Sequence, residues 1–550
     1  MERVASGEVV QAMPLKLATL DFETDPFKHG RVPRPFACEL YTNEWCEVFW
    51  GDDCVDRLLA FLEQCEPLLI YAHNGGKFDF HFLLKHVENP LRVIKQRIVS
   101  AKLLHHELRD SYAILPVALK TTGKKLDIDI TLLERERREK NRHEIERYLH
   151  ADCVALFDMV ASFRERFGGA LTIGSVALKE LSRLHPFRRQ GSGHDAVFRP
   201  WYFGGRVQCF APAGVYEGDW RVYDVNSMYP YVMRTMRHGI NGSWELDKLP
   251  YDDETPYFAL IDATSKRALV RRTDDKRLVG DHERALFFAS GHEIRAGLAC
   301  GRLDIHDVLD CYVAREHLAF DAFVDLHYAA KDAAKREGNK IDETFAKLLL
   351  NSAYGATAKR PDLFREYYIN HDLGKLPEPG WSLSVDLQSC ELWEKPVEIE
   401  ERMYCDVAIG ASITGAARSV LLTGLHHAKR PIYCDTDAIV CEGLNMPLDR
   451  YALGAWDLEA EGTRVAIGGK KLYALFDGEE PVKWASKGAR LDGYDIERIA
   501  KGEVIYHERD APAFGLKAKV TASQDYLEGR AKFVSRKMQI TVDDATEFWQ

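Results

Sequence analysis

Residues 431–443 read PIYCDTDAIVCEG. The segment sets two aspartates, Asp435 and Asp437, one residue apart between apolar runs, which fits a buried strand or a tight hairpin. Two carboxylates about 4 Å apart repel by roughly 4 kcal/mol at an effective dielectric near 20. The pair persists if one acid stays protonated, or if a cation sits between these acids and others elsewhere in the chain. A polar hairpin tip also brings Asp and Thr together, and a motif this short matches by chance. The choice between these readings rests on the rest of the chain.

The chain has 550 residues, enough for several domains, and 46% hydrophobic with 29% charged residues describes a soluble globular protein. No uninterrupted apolar run is long enough to span a bilayer, and the first 25 residues lack a basic region followed by an apolar core, so neither a membrane span nor a secretory signal is expected. The 12 cysteines are scattered without a C-x-x-C pair, which argues against a zinc ribbon or a disulfide framework and for reduced, buried thiols. A net charge of −11 neither advertises nor excludes nucleic-acid binding, because a binding channel needs only local basic charge.

Along the chain, the first 170 residues read as mixed α/β. KLATLDFET and PLLIYAHN have strand character, VDRLLAFLEQ and FDFHFLLKHV helical character, and a long charged helix ends at Gly168 and Gly169. RPWYFGGRVQCF and DWRVYDVNSMYPYVM read as strands or strand–turn segments. Residues 240–320 are irregular and strand-rich. FVDLHYAAKDAAKREGNKIDETFAKLLLNSAYGATAKR reads as two helices broken near Gly338, residues 360–400 as a loop-rich insertion, and AIGASITGAARSVLLTGLHHA as a buried helix.

The acidic segment has company. In LATLDFETD, Thr19, Asp21 and Glu23 share one face of a period-two strand. YAHNGGKFDF supplies Asn74, Phe78 and Asp79, and YLHAD sets Tyr148 and Asp152 at i and i+4 on one helix face. Each has an ordinary explanation as a strand end, a turn or a helix surface. Together, Asp21, Glu23, Asp79 and Asp152 could hold two divalent ions and drive phosphodiester hydrolysis, with Tyr148 orienting the attacking water. A second set comprises Asp224 in DVNSMYP with Asp435 and Asp437. Lys347, Asn351 and Tyr354 line one face of a helix, and that face suits a triphosphate and a base. Asp224 and Asp437 could share two Mg²⁺ ions, one at a 3′-hydroxyl and one at the triphosphate. Lys347 would offset charge developing on the phosphates, and Tyr229 would stack under the sugar and exclude a 2′-hydroxyl. Oxygen donors favour Mg²⁺ or Mn²⁺.

With these residues in order, the chain resembles the family B DNA polymerases, and within them the protein-primed replicative enzymes of bacteriophages, the tectivirus type in particular. DFETD, HNGGKFDF and YLHAD resemble the exonuclease motifs. DVNSMYP, KLLLNSAYG and YCDTD resemble polymerase motifs A, B and C. WYFGG and Lys471–Tyr473 resemble the YxGG and KxY motifs. The resemblance implies α/β and α+β multidomain architecture: an RNase H-like 3′–5′ exonuclease domain followed by a right-hand polymerase of palm, fingers and thumb. It also implies two ions per active site. Asp21, Glu23, Asp79 and Asp152 would bind the exonuclease metals, and Asp224, Val225 and Asp437 the polymerase metals. Asn74, Phe78 and Ser111 would hold the frayed primer end, although Tyr112 stands where the family has leucine. Tyr202, Gly204 and Gly205 would steer template between the active sites, the glycines allowing close backbone approach to DNA. Lys471 and Tyr473 would steady the primer terminus. Ala438 stands where the family usually has serine, which leaves the metal ligands intact.

The implied domains are exonuclease 1–170, first palm part 171–239, a terminal-protein insertion 240–320, fingers 321–357, a processivity and strand-displacement insertion 358–402, second palm part 403–485, and thumb 486–550. Expected partners are primer and template DNA, dNTPs and a separate terminal protein, with no membrane, in the cytoplasm of an infected bacterium. The competing expectations are a DNA-primed or primer-independent polymerase of a mobile element, and a non-catalytic DNA-binding scaffold. The retained carboxylates count against the scaffold.

Overall fold

A computed structural model describes residues 15–26, 33–94, 97–122, 126–250, 252–274, 277–280, 282–360, 364–370, 377–387, 390–396, 405–487, 491–507 and 538–540. The chain divides into two compact units. The first comprises Met1–Thr172, Asp362–Val397 and Asp510–Val534, and the second comprises Ile173–Pro361, Glu398–Arg509 and Ser535–Gln550. Most of the expected thumb lies outside the described residues.

The first unit is built on β1 (Lys16–Thr24), β2 (Pro35–Tyr41), β3 (Cys46–Trp50), β4 (Leu68–Ala72), β5 (Val87–Ile94), β6 (Arg97–Leu103) and β7 (His106–Asp110). They form one sheet in the order β5-β6-β7-β4-β1-β2-β3, with β1, β4 and β7 parallel to one another. Period-two alternation decides the faces of β1. Ala18, Leu20 and Phe22 enter the main core with Leu58 and Leu62 of helix α1 (Cys54–Leu62). The opposite face carries Asp21 and Glu23. A short turn of helix, α2 (Arg135–Arg138), leads into α3 (Arg142–Phe167), which ends at Gly168 with φ +68°.

Two expectations fail in this unit. FDFHFLLKHV forms no α-helix: Asn74 takes a left-handed backbone (φ +62°), and Asp79–His81 is one 3-10 turn before β5. The expected loop-rich stretch at 360–400 contains strands Phe364–Asn370, Ser382–Leu387 and Cys390–Pro396, which extend the sheet beyond β5. Alternation explains the second case, since Tyr367, Ile369 and Leu392 drop into the same core as β1.

The second unit centres on a seven-stranded antiparallel sheet. Its order is Glu480–Ser486, Leu472–Asp477, Trp456–Gly469, Gly214–Val225, Ala438–Cys441, Tyr433–Asp435, Val207–Cys209. A four-stranded sheet of Trp244–Leu246, Leu303–Ala314, Tyr257–Lys266 and His282–Ser290 is built from the 240–320 stretch. The two expected helices are Asp321–Glu337 and Lys340–Thr357, hinged at Gly338 (φ +72°) and capped by Asn339, which accepts from the Asp342 amide. Helix Val407–His427 is long and apolar enough to cross a membrane but is buried almost all round within the protein, as a core helix is. MYPYVM, expected as strand or turn, is instead helix Met228–Thr235, so Tyr229 lies in a helical first turn.

Candidate active sites

Each unit carries one acidic centre. In the first, β1 pairs with β2 so that Asp21 faces Glu39 and Glu23 faces Ala37, and α3 lies over this face. Asp21, Glu23 and Asp152 each bring a carboxylate oxygen within 4.8 Å of the others. Asp79 lies outside that cluster. It is 2% exposed, its Oδ1 accepts no hydrogen bond, and burial pushes its carboxyl up to about 7. Tyr148, one turn before Asp152, hydrogen-bonds to it; burial and the Asp152, Glu23 and Asp21 charges push its phenol up. Three oxygens in one place and an orphaned buried fourth carboxylate oxygen fit a divalent ion.

The expected strand-holding residues divide. Asn74 and Phe78 sit beside this centre on the turn before Asp79. Asn74 Oδ1 accepts from Arg97 at 2.8 Å, and the Phe78 ring meets Phe82 edge-on at 5.1 Å. Ser111 is wholly buried, and its hydroxyl lies 2.9 Å from His73 Nδ1 and 3.3 Å from the Ala72 carbonyl, while His73 Nε2 donates to the Val117 carbonyl. Burial holds His73 down to about 4, so it stays neutral. Ser111 therefore anchors the turn that follows β7. Gly76 has a packing role, because a Cβ there would meet the Ile98 carbonyl oxygen at 1.8 Å.

In the second unit the opening segment is a tight hairpin. Tyr433–Asp435 pairs with Ala438–Cys441, and Thr436 turns the corner with φ +61°. The two aspartates then part company. Asp435 takes Lys471 Nζ at 2.6 and 2.8 Å, and also accepts from the Tyr433 and Thr436 hydroxyls. A lysine 36 residues away thus neutralises one of the like charges. Asp437 is left to face Asp224. Ala438 and Asp224 are register partners, and the Val225 amide donates to the Asp437 carbonyl at 3.0 Å. Burial and then the Asp437 charge push Asp224 up to about 7, and burial and then Asp435 push Asp437 up. Two mutually repelling, desolvated carboxyls fit a cation between them.

Around this pair, the Tyr229 ring stacks on Tyr354 with centroids 4.0 Å apart and planes 6° apart, so the motif A and motif B tyrosines form one wall. Lys347 and Asn351 are exposed on the Tyr354 helix. Tyr473 is buried against Tyr433, while Lys471 is one-third exposed beside Asp435. In the WYFGG segment, Tyr202 is half-buried and its carbonyl accepts from Arg272. Gly205 also has a packing role: a Cβ there would meet Thr436 at 2.7 Å, so it makes room for the hairpin corner. Gly204 faces open space.

Three contributors escaped the sequence reading. Asp457 is the register partner of Asp224 on the other side. Lys483 lowers the pKa of both Asp224 and Asp437; it sits on a strand whose Val482 and Trp484 are exposed, an inverted alternation that disguises an inward lysine. Arg418 is buried, forms a two-pronged ion pair with Glu293 at 2.7 and 3.0 Å, and donates to the Phe203 and Gly204 carbonyls. Its signal was available, as the single arginine in an otherwise apolar helix.

The buried acids make a prediction. Asp79 and Asp224 titrate near 7 in the folded chain and near 4 when unfolded, so the folded chain binds more protons across that window. Without divalent ions, stability should fall as pH rises from about 5 to about 8. Mg²⁺ should then raise the melting temperature more at about pH 8 than at about pH 5. Melts in chelator and in Mg²⁺ at both pH values check this; a Mg²⁺-independent melt at the higher pH would remove the ion from both centres.

The profile "DNA polymerase type B, organellar and viral" matches residues 131–268 and 306–449. The DNA-directed DNA polymerase of Enterobacteria phage PRD1 is 41% identical, over 94% of this chain and 98% of that one. The DNA polymerase of Bacillus phage phi29 is 24% identical, over 84% of this chain and 86% of that one. Among solved structures, phi29 DNA polymerase complexed with primer-template DNA and incoming nucleotides superposes with TM-score 0.71 at 19% identity, covering 96% of this chain and all of that one.

Proposed function

The chain belongs to the organellar and viral type B DNA polymerases, and from that premise we propose a protein-primed replicase with its own proofreading centre. The α/β and α+β polymerase fold and the DNA-directed polymerase activity are family properties. The finer reading rests above all on one observation: Asp437, in the turn just before the strand that pairs with Asp224, is desolvated and acts on the equally desolvated Asp224.

Asp224, Val225 and Asp437 would hold divalent ions, Mg²⁺ or Mn²⁺, two per centre. Held there, such ions would supply a lowered pKa at the attacking hydroxyl and positive charge against the phosphates. Around them the chain's own residues position the reactants. Lys471, oriented by Asp435, would lie against the primer terminus with Tyr473 behind it. Lys347 and Asn351 offer a cation and an amide to the triphosphate, and the Tyr229–Tyr354 wall would carry the sugar and base. Tyr202, Gly204 and Gly205 would contact template. In the first unit Asp21, Glu23, Asp79 and Asp152 would hold the hydrolytic ions, Tyr148 would orient water, and Asn74 and Phe78 would grip a frayed 3′ end.

The domain boundaries given above are part of this proposal. In it, 240–320 contacts a separate terminal protein that supplies the first hydroxyl, and 358–402 supports processivity and strand displacement in an infected bacterial cell. Supporting the partner reading, the phi29 relative has been solved with primer-template DNA and nucleotides.

A labelled primer on a longer template tests the two centres together. With Mg²⁺ and all four dNTPs the primer should lengthen, and with Mg²⁺ alone it should shorten. Lengthening without shortening would remove the proofreading assignment. Tyr229→Ala should raise ribonucleotide incorporation relative to deoxyribonucleotide by roughly 10- to 100-fold; unchanged sugar selectivity would take the steric role from Tyr229.

A further inference from the structure

The acidic face of β1 and β2 carries a second group of metal-binding donors, unlike the first in chemistry. Glu39 lies opposite Asp21 on β2, with its side chain fully buried. Its Oε1 accepts from His150 Nδ1 at 2.7 Å, while its Oε2 is buried and accepts nothing. Cys46 is the register partner of Tyr41, two residues along β2 from Glu39, so the thiol falls on the same face. His150 descends onto that face from α3, and its ring is set edge-on against Tyr41 at 5.5 Å. One donor atom from each of Glu39, Cys46 and His150 lies within 4.8 Å of the others.

We propose that Glu39, Cys46 and His150 form a binding site for a thiophilic divalent cation of the Zn²⁺ class. The plain alternative is a Glu39–His150 hydrogen bond beside a surface thiol. That alternative leaves a buried carboxylate oxygen without a donor, a costly state that a bound cation removes. Local charge points the same way: the acid Glu146 acts on Glu39, and the acids Glu39 and Glu47 act on Cys46. A thiolate, an imidazole and a carboxylate form a borderline-soft set suited to Zn²⁺, whereas the oxygens of Asp21, Glu23 and Asp152 suit Mg²⁺. Cys46 is exposed and the His150 side chain is 47% exposed, which gives the ion an entry path and a water position as fourth ligand. Binding releases the Cys46 thiol proton to solvent and moves the imidazole proton from Nδ1 to Nε2. The bound ion would tie α3 to the β2–β3 hairpin.

Co²⁺ titration of the metal-free full chain tests this directly. One equivalent should produce a thiolate-to-cobalt charge-transfer absorption that Zn²⁺ abolishes by displacement. Cys46→Ser should eliminate that absorption and His150→Ala should weaken Co²⁺ binding at least tenfold, while Asp21→Asn with Glu23→Gln should leave it in place. Zn²⁺ should also raise the melting temperature of the parent chain more than that of Cys46→Ser, a substitution at an exposed side chain. No charge-transfer band in the parent, or one that survives Cys46→Ser, overturns the site.

Discussion

Asp437→Ala is expected to lower nucleotide incorporation by on the order of 1,000-fold or more while primer shortening continues at the parent rate. Asp437 is the sole carboxylate of its hairpin left to meet Asp224, because Asp435 is engaged by Lys471, Tyr433 and Thr436. Its removal takes away both an oxygen donor and the charge that helps hold Asp224 near 7. The hairpin should survive, since its corner is set by the Thr436 amide on the Arg206 carbonyl and by the Gly205 clearance. Asp435→Asn provides the contrast. It frees Lys471 without removing the facing pair, so primer affinity should weaken more than the maximal rate. Extension and shortening assays on matched substrates separate these outcomes. Near-parental extension by Asp437→Ala would place the polymerase centre elsewhere, and equal loss of shortening would join the two activities.

The sequence made local periodicity legible and long-range partnership illegible. Strand β1 announced which face held its acids, and the hairpin and the buried helix followed from apolar runs bounded by turn residues. What failed were segments in which tertiary packing overrides the local pattern. FDFHFLLKHV carries helical spacing, yet the left-handed Asn74 and the packing of Gly76 on Ile98 hold it in a 3-10 turn. Strand Phe364–Asn370 is placed by pairing with β5, some 270 residues earlier, as Asn89 to the Ile369 carbonyl, 280 residues apart, illustrates. The same limit governs the sites. The carboxylates were visible as motifs, but Lys471 as the counter-charge to Asp435, and Arg418 as the support for the WYFGG carbonyls, exist only through contacts 36 and 214 residues apart.

Asp21→Ala with Glu23→Ala should reverse the first result, cutting primer shortening by on the order of 1,000-fold and leaving extension intact. The double substitution is needed because the two side chains and Asp152 share one cluster, and a single survivor could still hold an ion with Asp152 and a buried Asp79 nearby. Loss of activity alone would be ambiguous, since a disturbed β1 would give it too. Stability resolves the ambiguity. In chelator the cluster is a set of like charges under α3, and Tyr148 and Cys153 both feel it as upward pressure on their pKa values. Removing two of those charges should therefore raise the melting temperature of the metal-free chain, and the stabilisation by Mg²⁺ should shrink. Inactive and more stable is the signature of a metal centre whose acids are held together against their repulsion. Inactive and less stable would mean that Asp21 and Glu23 hold up the strand, and the catalytic assignment would then pass from them.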